Sequence, residues 1–259
     1  MKNSLLTTYM EFYKQAFIPI LVNDGLDAKL QIEACVQAGF KVVEYTQRRG
    51  DLKEMVPWIQ KNYPDLHIII GSTIDNDCIV KSQRRHFGQL MTLEELSALK
   101  IQGFISMLKY SSATIRRYKD THLLIPCAAT ANEAYDLLAA GSHFIKVTGP
   151  DLTLAKRISS DPLFKFCPLF VTGGMDPERI PSAVEAGAVI VASGFDLMLN
   201  GQKNLTVDSV AALLKKYQAA VISARTALYP EMTKALNEGD METWLEKVPH
   251  YVPFGDAHE

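Results

Sequence analysis

Short apolar runs alternate along this chain with stretches of helical spacing, and turn formers separate the two. The runs are FIPILV (17–22), FKVVEYT (40–46), LHIIIG (66–71), GFISML (103–108), THLLIP (121–126), HFIKV (143–147), CPLFVT (167–172) and AVIVAS (188–193). A run of this length bounded by glycine, proline or polar turn residues reads as a buried strand. Leu5, Tyr9, Phe12 and Ala16 recur at helical spacing over 4–16, and helices are also expected at 26–38, 51–63, 92–101, 131–140, 152–160, 177–186 and 207–224. Asn23-Asp24-Gly25 marks a turn, Gly39 a helix C-terminus and Pro64 a stop. Strands that alternate with helices imply crossover units and a parallel sheet. Eight of them fit a closed (β/α)8 TIM barrel, with a leading helix at the N-terminus. A doubly wound open sheet is the other arrangement, but it usually has fewer strands. Near-continuous apolar strands suit a sheet whose outer face is covered by helices.

Length agrees with this, since 259 residues at 47% hydrophobic content suffice for one large barrel core. The barrel is assigned to 1–224, and 225–259 to an extension packed on it or on a neighbouring subunit. Within that extension a short helix is expected at 242–247 and extended chain at HYVPFG (250–255). Residues 74–91 form a long excursion after the third strand, with Lys81, Arg84, Arg85 and His86 clustered in it; a solvated helix accounts for them. Net charge is -2 with both signs well mixed, which argues against a nucleic-acid or membrane-surface partner. Cys35, Cys78, Cys127 and Cys167 are widely spaced and read as reduced thiols. The opening MKNSLLTTYMEFYK lacks the apolar core of a signal peptide, and no run reaches membrane-spanning length. The expectation is a cytoplasmic protein.

In a barrel of this class the chemistry lies at the C-terminal ends of the strands. Lys146 interrupts the apolar run of the sixth strand. Lysine is rarely buried unless paired or functional, and in a desolvated site it readily becomes a neutral amine that attacks carbonyl carbon. An edge strand whose lysine reaches water is the bland alternative. Glu44, Thr46 and Arg48 are spaced by two, so in extended chain they project to one side, and Thr73 ends the third strand at the mouth. Thr172-Gly173-Gly174 and Ala192-Ser193-Gly194 follow strands seven and eight, the usual place for a barrel phosphate site, with Phe195–Leu199 as an extra short helix. The six histidines show no metal-binding spacing, so no metal or other cofactor is expected.

In order and spacing, PILVND, VVEYTQR, GST, FIKVTGPD, VTGGM and ASGFDLM resemble the 2-keto-3-deoxy-6-phosphogluconate (KDPG) and 4-hydroxy-2-oxoglutarate (KHG) aldolase family, over roughly residues 17–224. The resemblance implies a class I aldolase, usually a homotrimer, whose imine forms on Lys146. It implies Glu44 as general acid/base, Arg48 and Thr73 on the substrate carboxylate, and Gly173, Gly174 and Ser193 on phosphate. The expected reaction is cleavage of a KDPG-like acid to pyruvate and glyceraldehyde 3-phosphate, with KHG as a further substrate giving pyruvate and glyoxylate. The chain departs from the family pattern at Pro150, one residue late after Lys146, at Ser106-Met107 where Ser-Pro is common, at Cys127, and in the long segment between Thr73 and Phe104. Read from residues alone, two alternatives stay open: a sugar-phosphate epimerase or isomerase using Glu44 and Lys146 for proton transfer, and a sensor that binds without turnover.

Overall fold

The computed structural model describes residues 2–22 and 25–240. Helix α1 (Lys2–Gln15) leads into β1 (Phe17–Leu21), α2 (Ala28–Gln37), β2 (Val42–Thr46), α3 (Leu52–Asn62) and β3 (His67–Gly71). Then come α4 (Asp77–Gln83), α5 (Leu93–Ser97), β4 (Gly103–Ile105), α6 (Ser112–Tyr118), β5 (Leu123–Ile125), α7 (Ala131–Ala140) and β6 (Ile145–Thr148). The chain continues through α8 (Thr153–Ser159), β7 (Leu169–Thr172), α9 (Ile180–Glu185), β8 (Ala188–Gly194), α10 (Phe195–Met198), α11 (Val207–Leu228) and α12 (Pro230–Glu238). Local chemistry sets many of the ends. Asp27 caps α2 through the N–H groups of Lys29 and Leu30, Thr92 and Glu95 form a capping box on α5, and Gly141 ends α7 at φ 109°.

The eight strands form one parallel sheet in the order β5-β4-β3-β2-β1-β8-β7-β6. Between the two outer strands, the backbone of Lys146 completes the barrel. Its N–H donates to Pro126 O at 2.8 Å, and its carbonyl accepts the N–H of Ala128 at 3.0 Å. The structure is therefore the (β/α)8 barrel that the alternation predicts.

Side chains leave each strand to opposite faces. Phe17 and Leu21 of β1, Val43 and Tyr45 of β2, and Ile145 and Val147 of β6 join the layer between sheet and helices. Ile18 and Ile20, Val42, Ile69, Ile105, Phe144 and Phe170 fill the interior instead. The N-terminal end of the interior is stoppered by α1. Tyr9 and Tyr13 lie 5.0 and 5.2 Å from the Phe144 ring, and Phe12 lies 5.1 Å from Phe144 and 5.8 Å from Phe170. Arg225 of α11 reaches the same end, donating to Tyr13 O at 2.8 Å and to Val189 O at 3.1 Å. Burial lowers its guanidinium to about 10.

Several boundaries differ from the sequence expectation. Helix α11 runs uninterrupted past 224, so the division placed there falls inside a helix. Beyond it α12 sends Met232, Ala235 and Leu236 into the interior cluster, so this part of the extension packs on the barrel. The helix expected at 242–247, the extended HYVPFG and Asn23-Asp24 lie outside the described residues. Helix α6 was not anticipated; it buries only Ile115 and Tyr118, too few to print a helical period, and depends on Ser111 capping the N–H of Thr114. The excursion 74–91 contains a short exposed helix, α4, that carries only Lys81 of the basic cluster, with Arg84, Arg85 and His86 past its end, and it is tied to the β2 end where Gln47 Oε1 accepts the N–H of Met91 at 2.7 Å. Among the described residues no helix is long and apolar enough to cross a membrane.

If the aromatic stopper holds the barrel's closed end, Phe12→Ala should lower the unfolding free energy by about 3–5 kcal/mol, the usual loss for a buried phenylalanine. Urea denaturation measures this, and a loss under about 1 kcal/mol would show that the barrel does not depend on α1.

Candidate active site

At the C-terminal end of the barrel, the interior changes from aromatic to polar. Strand β2 brings Glu44 inward between Ile20 of β1 and Ile69 of β3. Strand β6 brings in Lys146, whose neighbours Ile145 and Val147 face the helices. In the strand order β2 and β6 stand four places apart in a ring of eight, so Glu44 and Lys146 face one another across the barrel. Both are nearly sealed, at 2% and 3% exposure. Together with Arg48 they line one open-mouthed cavity of about 460 Å³, whose walls also include Ile20, Ser72, Met107, Thr148, Gly149, Thr172 and Gly173.

Glu44 has room only because residue 71 is glycine. A Cβ there would lie 2.0 Å from Glu44 Oε1. The other oxygen, Oε2, has no hydrogen-bond partner among the described residues. Burial pushes this carboxyl above the usual carboxylate range, while the charges of Lys146 and Arg48 pull it back. A carboxyl so placed suits a group that must both give and take a proton near neutrality. Lys146 Nζ lies 5.7 Å from the Phe170 ring centroid and makes no ion pair among the described residues. The amine is therefore not pinned to a carboxylate and stays available to a bound carbonyl.

The remaining predicted residues divide. Arg48 is exposed at the cavity edge. Its neighbour Arg49 is instead buried, paired with Asp51 at 2.6 Å and bonded to Leu26 O at 3.1 Å, and braces the loop. Thr46 is buried, its hydroxyl donating to Val22 O at 3.3 Å. Thr73 does not line the cavity. Its hydroxyl donates to Ile105 O at 2.8 Å and is bonded to the hydroxyl of Tyr110, so its single proton is already used. Ser72 takes its place on the cavity wall, held at φ 59°, an uncommon conformation for a serine.

The two glycine loops also differ from each other. Thr172 and Gly173 line the cavity, and Gly174 is exposed beside them. Ser193 is 2% exposed, and its hydroxyl donates to Met175 O at 2.9 Å. Gly194 precedes α10, and the space a Cβ would take there is filled by the Asp196 carboxylate, 2.2 Å away. Neither Ser193 nor Gly194 lines the cavity, so the structure turns that serine inward to tie β8 to the loop after β7. Sequence reasoning missed Ile20, Ser72 and Gly149. Ile20 carried a legible signal in its inward parity with Ile18; the turn of Ser72 into the mouth depends on a positive φ that no local pattern announces.

The raised Glu44 has a stability consequence. An acid that holds its proton more tightly when folded contributes stability at low pH and loses it as pH rises from the ordinary carboxylate range through its folded pKa. Glu44→Gln is therefore expected to be inactive yet more stable than the parent at pH 8, with the gain shrinking toward acid pH. Denaturation midpoints across pH measure it; a glutamine variant less stable at pH 8 would mean that attraction to Lys146 and Arg48 outweighs burial.

No family model matches the chain. It is 27% identical over 206 residues to the 2-dehydro-3-deoxy-6-phosphogalactonate aldolase of Escherichia coli (strain K12), covering 75% of this chain and 90% of that protein. A solved native KDPGal structure superposes at a TM-score of 0.61 with 22% identity, covering 80% of this chain and 95% of the other. KDPG aldolase of Legionella pneumophila, with pyruvate captured as a covalent carbinolamine, superposes at 0.60 with 20% identity, covering 82% and 96%. At such identities the superpositions speak for the fold alone. In the order and spacing of its motifs on β2, β3, β6, β7 and β8 and in this 27% identity, the chain is similar to the KDPG/KHG aldolases.

Proposed function

We propose that the chain is a class I aldolase that cleaves a phosphorylated six-carbon 2-keto-3-deoxy acid, of the gluconate or galactonate type, through an imine on Lys146. The observation that carries this reading is the placement of Lys146 and Glu44 opposite each other in one cavity at the chemical end of the barrel. The mechanism follows from these groups. Lys146 Nζ attacks the C2 ketone, and Glu44 supplies the proton with which the carbinolamine loses water. The resulting iminium accepts the electron pair of the C3–C4 bond while Glu44, directly or through water, removes the C4 hydroxyl proton. The aldehyde departs, the enamine is protonated at C3, and hydrolysis releases pyruvate and the free amine. General acid–base assistance of this kind is worth roughly 100- to 10,000-fold.

At the β2–β3 side of the mouth, Arg48 and Ser72 hold the substrate carboxylate; Thr73, with its hydroxyl engaged, supports the rim. Strand β7 stands four places from β3 in the ring, so Thr172 and Gly173 face this pair across the mouth. The leaving-group half of the substrate, with its phosphate, lies there and is met by backbone N–H groups of the Gly173-Gly174 loop. Asp196 beside Gly194 speaks against a second anion contact at α10.

Borohydride reduction in the presence of pyruvate, followed by intact mass and peptide mapping, tests the chemistry. One reduced pyruvyl group on the peptide containing Lys146 is expected. An unmodified Lys146, or no adduct, would sink the imine and favour noncovalent proton transfer as in an epimerase. The substrate class is tested by kcat/KM for the phosphorylated acid against its unphosphorylated counterpart. A preference of about 10-fold or more for the phosphorylated form is expected from charge-assisted hydrogen bonds, whereas equal use would make the glycine loop an ordinary turn.

A further inference from the structure

The segment that follows Lys146, Thr148-Gly149-Pro150, rests against the loop that follows β7. Gly149 N–H donates to Thr172 O at 3.0 Å. Gly149 and Gly173 stand at φ 114° and 103°, and a Cβ on Gly173 would lie 2.8 Å from Gly149 N. The two backbones touch, and neither glycine has a side chain that might interlock them. Arg179 joins the two loops from behind. Its Nη1 donates to Gly174 O at 3.0 Å and its Nη2 to Pro150 O at 2.8 Å. It is itself well placed for this, because the turn before α9 holds its backbone N–H on Asp176 Oδ1 at 2.9 Å and Asp176 O at 3.1 Å. The guanidinium makes no ion pair among the described residues. A positive charge thus stands behind the β7 side of the mouth, away from Arg48 at β2.

We propose that Arg179 is a positioning residue for the substrate's leaving-group half. It fixes the contact between the Gly149 and Gly173 loops and holds positive charge behind the N–H groups that meet an anionic group there. It acts without touching the imine at Lys146. The proposal rests on the aldolase reading above.

A split between two reactions tests it. Pyruvate has no leaving-group half, so borohydride trapping of pyruvate on Lys146 should proceed at the parent rate in Arg179→Met. With the phosphorylated six-carbon acid the same variant should show KM raised about 10- to 100-fold, the equivalent of one to two charged hydrogen bonds, and kcat changed by less than about threefold. Arg179→Lys keeps the charge and can reach one of the two carbonyls, so it should show a smaller KM rise in the same direction; it also serves if the methionine variant fails to fold. An unchanged KM in both variants overturns the proposal. A fall in pyruvate trapping in step with the KM rise also overturns it, because Arg179 would then be supporting the whole mouth. A parent protein that traps no pyruvate fails the aldolase reading itself and removes the basis of this one.

Discussion

A parallel sheet of eight strands has two edges, and the rest of this molecule depends on how they are joined. The seam lies between β5 and β6, and at its centre the N–H and carbonyl of Lys146 bond to Pro126 and Ala128. The same residue pairs with Phe170 of β7 on its other side. Lys146 is thus held by the backbone on both flanks, and only its side chain is left to move. For the imine proposed on Lys146, a nucleophile must meet a carbonyl within a few tenths of an ångström, and a seam that closes the barrel would also serve that chemistry. The exposed row of unpaired backbone groups that an open sheet would carry is removed at the same point.

Along the barrel axis the interior is graded. Aromatic rings from α1, Phe144 and Phe170 pack the closed end, and Arg225 reaches it held by two carbonyls. One turn of strand further, the inward positions become Glu44, Gly71, Lys146 and Thr172. Glycine at 71 is a vacancy left for the Glu44 carboxyl, and that carboxyl is buried with an oxygen unsatisfied. This is costly to the fold, and it would suit the proton-transfer role proposed for Glu44, because burial raises a carboxyl's pKa toward neutrality. The packed lower half is what lets the upper half carry such a group.

At the rim, hydroxyls that look like ligands in the primary structure are mostly occupied in holding loops. Thr73 bonds Ile105 and Tyr110, Ser106 bonds Thr73 O at 2.7 Å, and Ser193 bonds Met175 O. Arg48, Ser72, Thr172 and the backbone around Gly173 face the cavity, as does Thr148, whose hydroxyl lies 3.9 Å from Cys127 Sγ. The β3–β4 side is therefore stiffened by hydroxyl chains, and the β6–β7 side by a glycine contact and one arginine.

The barrel itself was legible because each strand is long enough to show an apolar run and each crossover helix buries a face; period and order are local properties of the chain. Lys146 and Glu44 stood out for the same reason, as charges inside apolar runs with inward parity. Helix α6 was not legible, since its two buried residues print no period and it forms by capping and docking, whereas α12 does carry a helical spacing in Met232, Ala235 and Leu236. The placement of Ser72 on the wall and of Thr73 behind it, the inward turn of Ser193, and the reach of Arg179 to Pro150 and Gly174 were decided only in three dimensions. A side chain's hydrogen-bond partner lies tens of residues away, 32 for Thr73 with Ile105 and 29 for Arg179 with Pro150. Spacing along the chain says which face a residue occupies; whether its donors are already taken is settled by neighbours that only the closed barrel brings near.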